Sequence, residues 1–465
     1  MNCYSLNLFP KTNIILFLFL LVSVQMGLAQ TISGVVLDKE YETPLENVNI
    51  YIANTEIGTA TNDNGKFRLK LNSLVSPSDS LTFSSVGYKT LKIALSNLNN
   101  KANTILMSEL TNELGEVVVG GKRKLQEKLR YKVLTPLKKG VFAFGSTIVD
   151  DKLYVIGGSE SYTEDAARKA IAKANEKYVN PTFMQVLNEM EPNGSNNSYN
   201  NNLLIYDFNS DEWQNTDIKF EDRAYHQLST FDNKIYTLGG KRKAFNGSKE
   251  YLLNKIEILN LDSLKVITDD VNPHQAVDFA SFTYKDNLLV MGGSNRMTKD
   301  GRKTFTDKCH FFNITTGYWY ELEKMTKPKE TDGVIIKDKV YLIGGFNGNP
   351  LSEIESLDLT TGTWKKEGDL FYEMENPSVT SHNGLIFIFN FGKLHIYDTL
   401  KSTLTAYDID IFIKNPNLHY HQNKLYVLGG YTEEEYSKEP SSKLFEINLN
   451  QLVKTKVQDS KTLNM

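Results

Sequence analysis

Apolar and polar residues alternate along most of this chain with a period of two, the spacing that puts every second side chain on one face of a strand. The clearest run is DDKLYVIGG, Asp150 to Gly158, in which a polar turn leads into an apolar strand ending on two adjacent glycines. It returns as DNKIYTLGG to Gly240, KDNLLVMGG to Gly293, KDKVYLIGG to Gly345 and QNKLYVLGG to Gly430, with a decayed copy, HNGLIFIFNFG, ending at Gly392. Apart from a longer first interval, the copies recur about every 50 residues, the period of a repeat architecture. After each glycine pair comes a second strand and turn, as in NLLIYDFNSDEW, DKCHFFNITTGYW and SEIESLDLTTGTW, and these three close on Trp213, Trp319 and Trp364.

The apolar strand, the glycine doublet and the tryptophan at this spacing resemble the kelch repeat, whose copies fold as four-stranded blades of a β-propeller. Six copies imply an all-β, six-bladed kelch-type propeller over residues 131–457. The doublet would lie where the chain turns over neighbouring backbone and a side chain would collide. The fifth copy departs from the pattern, with Asn390 and Phe391 in place of the first glycine and no tryptophan. The strand near Tyr131 to Leu134 is expected to complete the last blade, in competition with the C-terminal LVKTKV; residues 458–465 read as a tail.

Ahead of the repeats, residues 31–110 show a different strand pattern. ISGVVLD and DSLTFSSVGYKTLKIAL read as strands, Val48, Ile50 and Ile52 alternate with polar neighbours, and GTATNDNGKFRLKL reads as a hairpin turning at Asn64-Gly65. These motifs resemble the carboxypeptidase-regulatory-like domain, a small transthyretin-like β-sandwich without catalytic function. Asp63, Asn64 and Gly65 read as a plain turn and not as a cation loop. The linker 111–130 contains NELGEVVVGG, and residues 114–121 resemble the short apolar box of TonB-dependent receptors, which engages an energy-coupling protein. Lys11 followed by NIILFLFLLVSVQMGLA reads as a signal peptide over residues 1–29, so export to the periplasm, the outer membrane or the medium is expected, with no transmembrane span in the mature chain.

Composition narrows the function. The net charge is −4 and no basic block exceeds GKRK, which argues against nucleic acid or an anionic membrane surface as the main partner. Of two cysteines only Cys309 follows the leader, so an intramolecular disulfide and a dithiol centre are both excluded from the mature chain. Cys309 and His310 are neighbours in a strand and point to opposite faces, the first buried and the second exposed. His419 and His421 share a strand face but lack a third ligand, so neither a metal nor another cofactor is expected.

Residues 159–202 lengthen the first interval. TEDAARKAIAKANEKY reads as a helix capped by Thr163, with Asp165 and Lys169 paired, and PTFMQVLNEM places Phe183, Met184, Leu187 and Met190 on one face. That face either packs on the first blade or docks a partner.

In a propeller, function concentrates at the mouth of the central channel. Polar residues recur where each first strand begins: Arg223, Tyr225 and His226; Asp278; Glu330 and Asp332; Glu375 and Asn376; Asn417 and His419. The resemblance implies a binding or scaffold protein of the cell envelope, not an enzyme, recognising a protein or a glycan. Two alternatives stand beside it: a sugar-acid epimerase or mutarotase acting at the mouth through Arg223 and His226, and partner docking through residues 114–121.

Overall fold

The computed structural model describes residues 31–463 except 54, 56, 72–74, 77, 86, 100–101, 109–124, 192–193, 245–248, 270 and 298–301. The leader 1–29 and the segment 114–121 lie outside the described residues. Two compact units divide the chain, residues 1–121 and 122–465.

The first unit is sandwich-like, with a three-stranded sheet and a four-stranded sheet. Thr31–Asp38 is central in the smaller sheet, antiparallel to Lys66–Lys70 and parallel to Asn103–Met107. The period-two pattern works as expected: Val48, Ile50 and Ile52 are buried with Phe67, Leu81, Phe83 and Met107, while Asn49 and Tyr51 face outward. The expected hairpin is not one. Gly58–Ala60 belongs to the larger sheet and Lys66–Lys70 to the smaller, so the Asn64-Gly65 turn crosses between sheets. Thr61 directs that crossing, since its buried hydroxyl donates to the Leu45 carbonyl (2.6 Å) and accepts from the Val48 N–H (2.9 Å).

The second unit is a closed ring. Among its described residues, six antiparallel sheets repeat one plan, exemplified by Gln227–Phe231, Lys234–Leu238, Ile256–Asn260 and Lys265–Asp269 in that spatial order. The innermost strands touch in succession, and the last, Asn417–His421, touches the first, Gly145–Val149. Lys132–Leu134 supplies the outer strand of the sixth sheet by pairing with Leu444–Asn448, so N-terminal and C-terminal segments interlock there. The competing LVKTKV instead begins in a 3-10 helix, Leu449–Lys454, and continues to a single bridge at Thr455. Residues 458–465 are more than a tail: Asp459–Thr462 is a fifth strand on the outer edge of the fifth sheet, pairing with Thr403–Asp408. The linker contributes too, through bridges from Gln126 to Thr455 and from Leu129 to Ile409. Apolar cores fill the spaces between successive sheets, so both sheet faces are covered. His310 is accordingly buried rather than exposed, its Nδ1 3.0 Å from that of His274.

At the doublets, positive φ and close passage over neighbouring backbone act together to favour glycine. Both glycines of every intact pair have positive φ. A Cβ on Gly345 would lie 2.1 Å from the Glu330 carbonyl oxygen, and one on Gly292 would lie 2.7 Å from that of Lys329. The second glycine thus passes over the approach loop of its own sheet, and the first over that of the next. In the fifth copy the chain simply turns at Phe391 (φ 29°) and Gly392 (φ 83°) between paired Asn390 and Lys393.

Candidate functional site at the channel mouth

The glycine pairs of the first, second, third and sixth sheets are followed by an arm on the approach-loop side of the ring, whereas in the fourth the strand Lys339–Phe346 runs through its pair and turns back directly into Pro350–Asp358. Arms pair as Lys241–Lys243 with Glu250–Leu252, Ser294–Met297 with Lys303–Phe305, and Tyr431–Glu433 with Ser437–Pro440. The first arm is the insertion. It is tied to the sixth by pairing of Thr163–Glu164 with Ser437–Lys438. Because Thr163 is spent in that strand, Asp165 and not Thr163 caps helix α1, Ala166–Lys177, accepting from the Arg168 N–H. Lys169 pairs with Glu164 (2.6 Å) and Glu191 (3.2 Å) in place of Asp165. A second helix, α2, spans Phe183–Asn188 behind a capping box of Thr182 and Gln185.

Within the arms lies a cavity of about 330 Å³. Its wall takes one residue from the same position of every sheet: Ala143, Tyr225, Asp278, Thr331, Asn376 and Asn415. Ala143, Tyr225, Asp278 and Asn415 are held at φ between 47° and 62°, although none is glycine. The residue before each of these four bridges back to the arm, Phe142 to Ser159, Ala224 to Lys241, Val277 to Ser294 and Lys414 to Tyr431.

Of the sequence candidates, Tyr225, Asp278, Asn376 and Asn417 line this cavity, joined by His226, Asp332, Glu375 and His419. Arg223 does not. It is fully buried, with its Nη2 on Glu257 Oε2 at 2.5 Å and its Nη1 on the Gly239 carbonyl at 3.3 Å. The fourth sheet repeats this arrangement with Lys329, whose Nζ is 2.7 Å from Glu355 Oε2. These are blade-locking ion pairs, so the guanidinium expected to anchor a sugar acid is already engaged. Glu330 also stands behind the wall, accepting from Ser294 Oγ (2.6 Å) and Lys303 Nζ (2.8 Å).

The histidines are poor general bases or acids here. Burial, then the nearby Arg223, drives His226 well below its ordinary range, and its Nε2 accepts from the Gly145 N–H. Burial lowers His419 to about 4, and its Nε2 is 2.7 Å from Ser146 Oγ. The carboxyls behave differently. Burial, with repulsion from Glu330, pushes Asp278 up to about 7; burial brings Asp332 to about 7 against backbone hydrogen bonds from Gly333 and Val379.

Sequence reasoning missed the arm residues that reach the cavity. Lys438 Nζ lies over the rings of Tyr431 (3.7 Å) and Phe142 (4.6 Å), and Lys241 Nζ lies over Tyr225 (4.5 Å). One signal was present: Lys241 and Tyr431 each directly follow a glycine pair.

Comparison with known families agrees with this construction. Residues 32–119 match the CarboxypepD_reg-like domain, and residues 192–392 match the KLHDC2/KLHL20/DRC7 Kelch-repeats domain. The chain carries kelch repeats. Its kelch domain is similar to Kelch-like protein 40 of Xenopus tropicalis, 23% identical over 187 residues, or 40% of this chain and 29% of that protein. Kelch-like protein 23 of Homo sapiens is 21% identical over 40% of this chain and 39% of its own length. Kelch repeat and BTB domain-containing protein 1 of cowpox virus is 25% identical, over 35% and 30%. The chain therefore spans well under half the length of these curated relatives. The solved structure of YjhT is similar over 68% of this chain and 99% of its own, at 13% identity and a TM-score of 0.49. Among the described residues no helix is long and apolar enough to cross a membrane.

Proposed function

We propose that this is an exported binding protein of the cell envelope whose kelch domain engages a protein partner on its arm-bearing face. The observation that carries the reading is the uncovered face of the first arm. Val179, Phe183 and Met184 are 96%, 75% and 63% exposed, and α2 has no buried residue. Of the two roles open to this amphipathic segment, packing on the first sheet does not occur for α2. Large apolar side chains gathered on one exposed element mark an interaction surface.

The charges of the arm favour a protein over a polyanion. Lys169, Lys173 and Lys177 are paired with Glu164, Glu191 and Glu189 within the arm, which leaves an apolar face with little net charge. Pairing with the sixth arm orders this face before binding and so reduces the entropy lost on association. Export rests on the leader.

The test compares wild type with Phe183→Ser/Met184→Ser in crosslinking recovery from the native envelope. The expected result is one dominant protein partner captured by wild type and lost in the variant, at unchanged melting temperature. Recovery that does not depend on these side chains refutes the reading.

A further inference from the structure

The central cavity sets an electrostatic problem that the chain solves only in part. Glu330 is fully buried and matched, with Ser294 Oγ and Lys303 Nζ on its two oxygens. Besides Asp332, which accepts from the Gly333 N–H, two further carboxyls line the cavity in front of it, Asp278 and the exposed Glu375. Neither accepts a hydrogen bond or forms an ion pair among the described residues. Asp278 is deeply set, and the surface it retains faces the cavity. Its backbone is held at φ 52° and flanked by the Val277 to Ser294 bridge, which keeps the residue on the cavity wall.

The neighbouring lysines are committed elsewhere. Lys303 serves Glu330, and Lys241 is 2.6 Å from Glu250. Lys438 rests on Tyr431 and Phe142, with an ammonium partly stripped of water, as its lowered pKa reflects. Carboxyls therefore outnumber the lysines that line the cavity, Lys303 and Lys438, and at the deeply set Asp278 an unmatched charge is costly. The aromatic faces of Tyr225, Tyr431 and Phe142 are taken by the Lys241 and Lys438 ammonium groups of the arms, so the carboxyls are what the cavity offers to an incoming cation.

We infer that this cavity is a binding site for a ligand group bearing a primary ammonium, seated between Asp278 and Glu375. The amides of Asn376 and Asn415 stand on the same ring and are placed to hydrogen-bond polar substituents of that ligand. This site is separate from the apolar arm and does not depend on partner docking there. The elevated Asp278 supports the assignment, because an arriving ammonium compensates the charge that burial disfavours. Affinity for an amine of lysine type accordingly rises with pH through about 7, as Asp278 and the neighbouring Asp332 ionise while that amine stays protonated.

Two sources offer this chemistry, a small amino sugar and a lysine side chain of a polypeptide, and calorimetry on the full chain at pH 7.5 separates them. The probes are glucosamine, N-acetylglucosamine, and lysine blocked at both its α-amino and carboxyl groups. Saturable heat is expected with at least one of the two amines and none with N-acetylglucosamine, whose nitrogen carries no charge. Binding by glucosamine alone assigns the amino-sugar source, and binding by blocked lysine assigns the polypeptide source. Asp278→Asn is expected to weaken the active probe about tenfold or more, whereas Phe183→Ser/Met184→Ser leaves it unchanged. Equal binding of N-acetylglucosamine, no binding of either amine, or affinity indifferent to Asp278→Asn in a variant that melts cooperatively would overturn the inference.

Discussion

Replacing Arg223 with Met separates a structural guanidinium from a ligand anchor. Arg223 has no exposed surface, and Glu257, 8% exposed at its side chain, receives it at 2.5 Å. After the substitution Glu257 keeps only the Glu221 N–H, at 2.9 and 3.2 Å to its two oxygens. A buried carboxylate stripped of its cation costs about 3–5 kcal/mol, most of it desolvation no longer offset by Coulomb attraction. In Arg223→Met/Glu257→Met the stranded charge is gone, so the loss should shrink to about 1–2 kcal/mol, for the orphaned Glu221 N–H and imperfect packing. Urea unfolding followed by tryptophan fluorescence reads this directly, because Trp213, Trp319 and Trp364, the chain's three tryptophans, all lie in the kelch domain. The expected coupling between the two sites is at least about 2 kcal/mol. A single variant within about 1 kcal/mol of wild type that instead loses affinity for a mouth ligand would refute the argument.

Other expectations follow from the same geometry. Gly345→Ala should cost about 3 kcal/mol or more, since its Cβ would meet the Glu330 carbonyl at 2.1 Å with φ at 111°. Gly362→Ala, with nothing within 4 Å, should cost only about 1 kcal/mol of backbone strain at φ 70° in the same melt. Asp278, raised to about 7, favours the fold in its protonated form; that stabilisation is complete below about pH 4 and is lost as pH rises through 7. Asp278→Asn should therefore melt higher than wild type at pH 8 but not at pH 4.5, by about 1–2 kcal/mol once water in the cavity screens the charge. Equal melting at both pH values would show that this carboxyl is compensated. Deleting residues 459–465 uncovers the edge of the fifth sheet and removes Leu463, 5% exposed against Gly368, at a cost of about 2–3 kcal/mol by urea melt. No change would mean that the fifth strand does not contribute to the folded ring.

The local code was legible because strand period, turn glycines and tryptophan spacing are short-range properties. Val48, Ile50 and Ile52 point inward because alternation leaves them no other face. The doublets mark the close passages, and Tyr131 to Leu134 could be assigned to the last sheet because YKVLTPLKKGVFAFG resembles YELEKMTKPKETDG, the stretch before the fourth copy. Eight of the ten candidate mouth residues line the cavity, since the repeat register carries each first-strand start to the channel.

What the chain could not disclose locally are relations between segments far apart in sequence. Arg223 and Tyr225 stand two residues apart at the start of one strand, yet one is locked behind Glu257 and the other lines the cavity. Thr163 is drawn into a strand by Ser437 and Lys438, and that pairing moves the helix cap to Asp165. Asn64-Gly65 crosses between sheets because Thr61 finds its partners at Leu45 and Val48. The sequence by itself determined strands, turns and repeat number, all governed by backbone sterics and side-chain alternation over a few residues. Only the tertiary structure decided which polar groups are matched and which, like Asp278, face the cavity without a partner, because desolvation and charge pairing depend on which distant residues share the same space.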